Sequence, residues 1–164
     1  MKIYHTGISF TAQPKNYAVV DKYLSRSAQP QKEDFEWLKE QGVTDIFNFR
    51  TNLAHDATFD EKTEVEKLGM KYHNIPSITD APTRDNINRF LREMKEVILR
   101  NGNAHMHCKA GADRTGMYAY IYKTVNNIGT RTQNQIEMIK MGHHILRYPT
   151  LLDWTNEFLN KFKK

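Results

Sequence analysis

The sequence predicts a single α/β domain: a central, mostly parallel sheet flanked by helices. Three observations carry that expectation. The chain has 164 residues, the length of one domain. Hydrophobic residues make up 39% and aromatics 11%, enough for a packed core rather than a disordered chain. Short apolar runs of strand length alternate with helical stretches, and that order joins parallel strands through crossovers. No internal repeat and no linker interrupts the pattern.

Residues Met1 to Asn16 carry no clear period and read as an N-terminal arm or an extra edge element, with the main domain running from 17 to 164. Tyr17 to Leu24 has short apolar runs broken by Asp21 and Lys22, consistent with a hairpin or two short strands. Pro30 closes that region. Gln31 to Gln41 reads as a helix with Glu33 and Asp34 in its first turn, where the helix dipole favours them, and Gly42 supplies the stop. Phe35 and Leu38 face inward and Trp37 packs. Val43 to Phe49 reads as a buried strand. Arg50 at its end is a candidate phosphate contact, because ligands gather beyond the carboxyl ends of parallel strands; a surface ion pair is the competing reading. Thr51 to Thr58 is a polar loop with His55 and Asp56. Phe59 to Leu68 looks helical, with Glu61, Glu64 and Glu66 among lysines on a solvated face.

Lys71 to Ile78 is the next predicted strand and leads into Thr79-Asp80-Ala81-Pro82-Thr83. From about Thr83 to Arg100, Ile87, Phe90, Leu91, Met94, Val97 and Ile98 fall on one helical stripe. Asn101-Gly102-Asn103 stops it. A strand over Ala104 to His107 follows, then a helix over Thr115 to Asn127. Thr130 to Met141 and Pro149 to Phe162 supply two more helices.

Between that last strand and its helix lies His107-Cys108-Lys109-Ala110-Gly111-Ala112-Asp113-Arg114-Thr115-Gly116, which holds the single cysteine of the chain. A strand that turns through a glycine-bearing loop into a helix forms an anion cradle. Backbone N–H groups point into the loop and the positive end of the helix dipole lies behind them. Five residues separate Cys108 from Arg114. One side chain can then attack a bound phosphoryl group while the other grips its oxygens with a planar fork. The helix end and the guanidinium also favour a thiolate.

These ten residues resemble the signature loop of the cysteine-dependent protein tyrosine phosphatase superfamily, most closely its compact bacterial dual-specificity-like members. Ser25-Arg26-Ser27-Ala28-Gln29-Pro30 and Phe47-Asn48-Phe49-Arg50 resemble further segments of that group, and the likeness runs from about Tyr17 to the C-terminus. It implies a dual-specificity-phosphatase-like fold and hydrolysis of phosphomonoesters through a phosphocysteine intermediate. Cys108 would be the nucleophile, and Arg114 with the N–H groups of Lys109, Ala110, Gly111, Ala112 and Asp113 would bind the phosphoryl oxygens. Thr115 would donate to the Cys108 sulfur. Asp113 would orient the loop or the substrate, and His107 would support the loop backbone.

A phosphate ester leaves poorly without a proton donor. Asp80, just past a strand's carboxyl end, is the candidate general acid; capping of the following helix is the competing role. Asp85 is the runner-up. No cofactor or metal is expected, because Arg114 and the amides supply the positive field, and the histidines, including His143-His144, lack convincing zinc spacings. Phosphotyrosine in proteins ranks first as substrate, with phosphoserine and phosphothreonine open. Lys109 keeps inositol phosphates or phosphoinositides as the alternative, although Ala112 stands where those enzymes often carry a second lysine. A sulfurtransferase, an arsenate reductase and an inactive phosphate-binding module rank lower, since Cys108, Arg114, Thr115 and Asp80 form a full hydrolytic set.

Net charge is a mild +5, spread along the chain, and no dense basic block with aromatics suggests nucleic-acid binding. One cysteine excludes an intrachain disulfide framework. No stretch reads as a signal peptide or a membrane anchor. The expectation is a cytoplasmic monomer acting on a phosphorylated protein or small phosphoester; a signal peptide already removed is compatible with the sequence.

Overall fold

The structure, a computed structural model, describes residues 13–51 and 59–162. The polar loop with His55 and Asp56, and most of the N-terminal arm, lie outside the described residues. The elements run β1 (Ala18–Asp21), β2 (Leu24–Ser27), α1 (Asp34–Glu40), β3 (Asp45–Asn48), α2 (Glu61–Lys67), β4 (Lys71–Asn74), α3 (Arg84–Leu99), β5 (Ala104–His107), α4 (Arg114–Val125), α5 (Arg131–Lys140) and α6 (Pro149–Lys161). The five strands form one sheet in the order β1-β2-β5-β3-β4. Strands β2, β5, β3 and β4 are parallel, and β1 is the antiparallel edge. The α/β domain with a mostly parallel sheet is what folds.

The register explains where a site can lie. Ser27 and Asn48 both pair with His107, and Asn48 pairs with Asn74. Four strands therefore end level, with β5 in the middle, and the loop after β5 opens above them. Side chains alternate across the sheet. Phe47, Met106 and Ala104 face a large core built with α3, α4, α5 and α6, where Phe90, Tyr118, Tyr122, Met138 and Phe158 are buried. Ile46 faces a smaller core with Phe35 and Leu38 of α1 and Val65 of α2. Phe49 and Tyr118 stack with ring centroids 3.7 Å apart, fixing α4 against the end of β3.

Two expectations need correction. The strand predicted over Lys71–Ile78 ends at Asn74. Ile75 and Ser77 still donate to Asn48 and Phe49, but Pro76 between them has no N–H to give, and the chain leaves the sheet. Ile78, expected at the end of that strand, lies outside it and is 58% exposed. Glu61, expected on a solvated face, is buried with Val65 on the inner side of α2.

β5 also carries a buried polar residue outside the loop. The fully buried His105 ring meets Ser25 Oγ at Nδ1 and Ser27 Oγ at Nε2, each at 2.8 Å, and stacks on Tyr17. Burial, helped by neighbouring His107, holds its pKa well below the ordinary 6.5. Folded His105 stays neutral while the unfolded chain takes up a proton below about pH 6.5. The unfolded state then binds more protons, so stability falls as pH drops through that value, by up to ~1.4 kcal/mol per pH unit from this residue. Urea titrations between pH 7.5 and 5 are expected to show that slope, flattened in His105→Gln. An equal slope in the variant would refute the assignment.

Candidate active site

Cys108 follows β5 directly and is 2% exposed. Its sulfur accepts the Gly111 N–H at 3.3 Å across the loop. The loop can curl this tightly because Gly111 adopts φ +70°, where a side chain is strained. Arg114 opens α4, so the helix N-terminus faces the space above the sulfur. Its Nη1 donates to the Ser77 carbonyl at 3.3 Å, tying it to the segment that carries Asp80. The Ser77 hydroxyl in turn meets Tyr118 Oη at 2.7 Å, so α4 anchors that segment from below.

Beneath the loop runs a chain of polar contacts. His107 Nε2 meets Glu61 Oε2 at 2.8 Å, and its Nδ1 faces the Cys108 carbonyl at 3.2 Å. Glu61 Oε1 accepts from Gln29 Nε2 at 2.7 Å, and Gln29 Oε1 accepts from Arg50 Nη1 at 3.0 Å. Burial pushes the Glu61 carboxyl up, but His107, Gln29 and Arg50 outweigh it, leaving the pKa below the usual range. Arg50 lies at the carboxyl end of the sheet as expected, yet it is buried and its guanidinium is engaged in this chain.

Asp113 turns away from the cradle: Oδ1 accepts from His143 Nδ1 at 2.7 Å and the His144 N–H at 2.8 Å, and Oδ2 meets His144 Nδ1 at 2.9 Å. Burial raises its pKa, but these contacts prevail and lower it. Asp113 thus fastens the signature loop to the segment after α5, and the two histidines act as a loop clasp. Thr115 is fully buried. Its expected bond to the Cys108 sulfur is absent, and its hydroxyl has no hydrogen-bond partner among the described residues. Lys109 and Ala110 are exposed at the rim, and Ala112 is buried. Asp80 is exposed in the turn closed by Ala81 N–H to the Ile78 carbonyl at 3.1 Å. The competing helix-cap role belongs to Thr83, whose side chain accepts the Asn86 N–H. Asp85 lies inside the first turn of α3 and is exposed.

Residues 21–126 match the family described as "polymorphic toxin system, DSP-PTPase phosphatase". The chain belongs to this family. The DSP-PTPase match spans β2 through α4, the signature loop included. Over 106 residues the chain is also 27% identical to inositol diphosphatase DSP3 of Arabidopsis thaliana, a match covering 64% of this chain and about half (52%) of that relative. Among solved structures, a DUF442 protein from Shewanella putrefaciens CN-32 superposes with a TM-score of 0.79 at 23% identity, covering 92% of this chain and 93% of that one. TpbA of Pseudomonas aeruginosa, in complex with phosphotyrosine, superposes with a TM-score of 0.68 at 19% identity, covering 90% and 91%. Among the described residues no helix is long and apolar enough to cross a membrane.

Sequence reasoning missed several residues that brace this DSP-PTPase loop. Glu61 precedes Val65 by one helical turn, so the inner face of α2 was readable from that spacing. Gln29 falls in the Ser25–Pro30 segment that resembles the family, but its bracing role was not readable there, because its partners come from α2 and the end of β3.

Proposed function

We propose that the chain hydrolyses phosphomonoesters, phosphotyrosine in proteins foremost, through a phosphocysteine at Cys108. The observation that carries this reading is the sulfur lying at the bottom of a curled loop, with the Gly111 N–H directed at it at 3.3 Å and Arg114 at the helix N-terminus beside it. In the first step the Cys108 thiolate forms an S–P bond while the P–O bond to the leaving group breaks. Asp80 gives its proton to the departing oxygen. In the second step water attacks phosphorus, Asp80 takes up a proton, and the S–P bond breaks to release phosphate and thiolate. Arg114 and the loop amides stabilise charge that builds on the equatorial oxygens. Thr115, whose hydroxyl is unspent, donates to the sulfur as it leaves.

Exposed apolar side chains on the two segments that contact the loop through Arg114 and Asp113 favour an aromatic ester. Ile78, next to Ser77, is 58% exposed, and Leu146, beyond the histidine clasp, is 98% exposed. A phosphotyrosine ring can cover such side chains, whereas an inositol ring ringed with phosphates gains nothing from them. The second reading, an inositol phosphate substrate, draws on the Arabidopsis relative and on the exposed Lys109.

One experiment tests both. Wild type and Asp80→Ala are assayed on phosphotyrosine, phosphoserine and phosphothreonine peptides beside soluble inositol phosphates and inositol lipids. The highest kcat/KM is expected on phosphotyrosine. Asp80→Ala is expected to slow alkyl esters about 10²- to 10⁴-fold and activated aryl esters much less. A preference for inositol phosphates would overturn the substrate assignment. Equal slowing across leaving groups would overturn Asp80 as the acid.

A further inference from the structure

Three consecutive carbonyls of the signature loop are held from outside it. The Lys109 carbonyl accepts the Gln29 N–H at 3.0 Å. The Ala110 carbonyl lies 3.4 Å from Asn16 Nδ2. The Gly111 carbonyl accepts Arg26 Nη2 at 2.7 Å and lies 3.3 Å from Asn16 Nδ2. A trans peptide is planar, so its C=O and the next residue's N–H point in opposite directions. Holding the carbonyls of 109, 110 and 111 outward therefore turns the N–H groups of Ala110, Gly111 and Ala112 inward. The Gly111 N–H at the sulfur is the visible instance.

We infer that Arg26 and Asn16 are positioning residues that orient the anion-binding amides of the signature loop by holding the Gly111 carbonyl between them. The inference rests on the phosphatase reading above and adds two residues, neither touching substrate, that set its oxyanion geometry. The loop needs them because its centre is a glycine, the residue whose adjoining peptides rotate most freely.

Each residue's setting supports the role. Arg26 belongs to β2 and is 1% exposed. Sinking a guanidinium into a core is costly unless its charge and hydrogen bonds are used. Burial draws its pKa down, and the neighbouring charges of Glu137 first and Cys108 second oppose that shift only in part. Asn16 stands in the left-handed region at φ +55°, a conformation that asparagine tolerates. Its amide also donates to the Met141 carbonyl at the end of α5 at 3.0 Å. The neighbouring Lys15 carbonyl accepts the Ala28 N–H at 2.8 Å, which fixes this turn to the end of β2. The side chain thus joins the N-terminal segment, α5 and the loop at one point.

The test is binding of inorganic phosphate by calorimetry together with kcat and KM on an aryl phosphate. Asn16→Gly keeps the left-handed backbone and removes the amide. Asn16→Asp keeps the shape and exchanges the donor for an acceptor facing carbonyls. Arg26→Lys keeps the charge and removes the planar fork. All three are expected to weaken phosphate binding at least about fivefold and to lower kcat/KM, with Asn16→Asp the most affected, as expected for lost donors to a developing oxyanion. The Asn16 variants are expected to keep Tm within about 2 °C, because the site is at the surface. A merely structural role predicts the reverse: a lowered Tm with phosphate affinity intact. Wild-type affinity in both Asn16 variants would overturn the inference, even if Arg26→Lys fails to fold. Wild type that binds no phosphate would instead overturn the phosphatase reading.

Discussion

Cys108→Ser is expected to lower turnover of a small aryl phosphate by about four orders of magnitude or more while inorganic phosphate still binds. The two halves of this outcome have separate causes. Binding depends on the loop amides and Arg114, which a serine leaves in place, and its oxygen can accept the Gly111 N–H much as sulfur does. Turnover depends on an anionic nucleophile. A hydroxyl needs an adjacent base to become one. The nearest imidazole, His107, has both nitrogens committed, one to Glu61 and one to the Cys108 carbonyl. His105, further down the strand, is committed to Ser25 and Ser27. Steady-state kinetics and calorimetric titration with phosphate check the two halves. Turnover within tenfold of wild type would reject Cys108 as the nucleophile. Loss of phosphate binding would show that the anion site is built on the sulfur rather than on the amides.

What the sequence revealed, and what it hid, follows from the range of the interactions. The strand at Ala104–His107, the loop and the helix that begins at its arginine were legible because they are local: an apolar run, a glycine and a helical stretch in immediate succession. The long stripe of α3 and its stop at Asn101-Gly102 were legible for the same reason. The supports of the loop were not. Asn16 and Arg26 reach Gly111 from 95 and 85 positions away. Glu61 meets His107 across 46. Such partners are chosen by the order of strands in the sheet, which places β5 between β2 and β3 and brings their ends together. Nothing in a glutamate set between Asp60 and Lys62 announces that its helix turns it inward, save the valine one turn later. Arg50 illustrates the complementary limit. Its place at a strand end was readable, but the engagement of its guanidinium with Gln29 depends on a side chain from the segment after β2.

Gly111→Ala is expected to reduce kcat/KM by at least about 100-fold, and a second glycine isolates the reason. At φ +70° an alanine suffers the left-handed penalty, roughly 1 kcal/mol. The larger effect is steric. A Cβ at Gly111 would lie 2.4 Å from the Ala28 nitrogen and 2.5 Å from the Ser27 carbonyl carbon and oxygen. Those atoms are backbone at the end of β2, fixed by the pairing of Ser27 with His107 and by the Ala28 N–H to the Lys15 carbonyl. They have nowhere to retreat, so the loop must move. Displacement of about 1 Å removes the Gly111 N–H from the sulfur and breaks the grip on its carbonyl, enough for a loss of that size. Gly42, at φ +92° after α1, is the control, because a Cβ there meets nothing within 4 Å. Gly42→Ala incurs the backbone strain alone and is expected to lower Tm by a few degrees with kcat/KM unchanged. Should Gly111→Ala retain kcat/KM within threefold of Gly42→Ala, the close approach of the loop to β2 would not be what shapes the anion site.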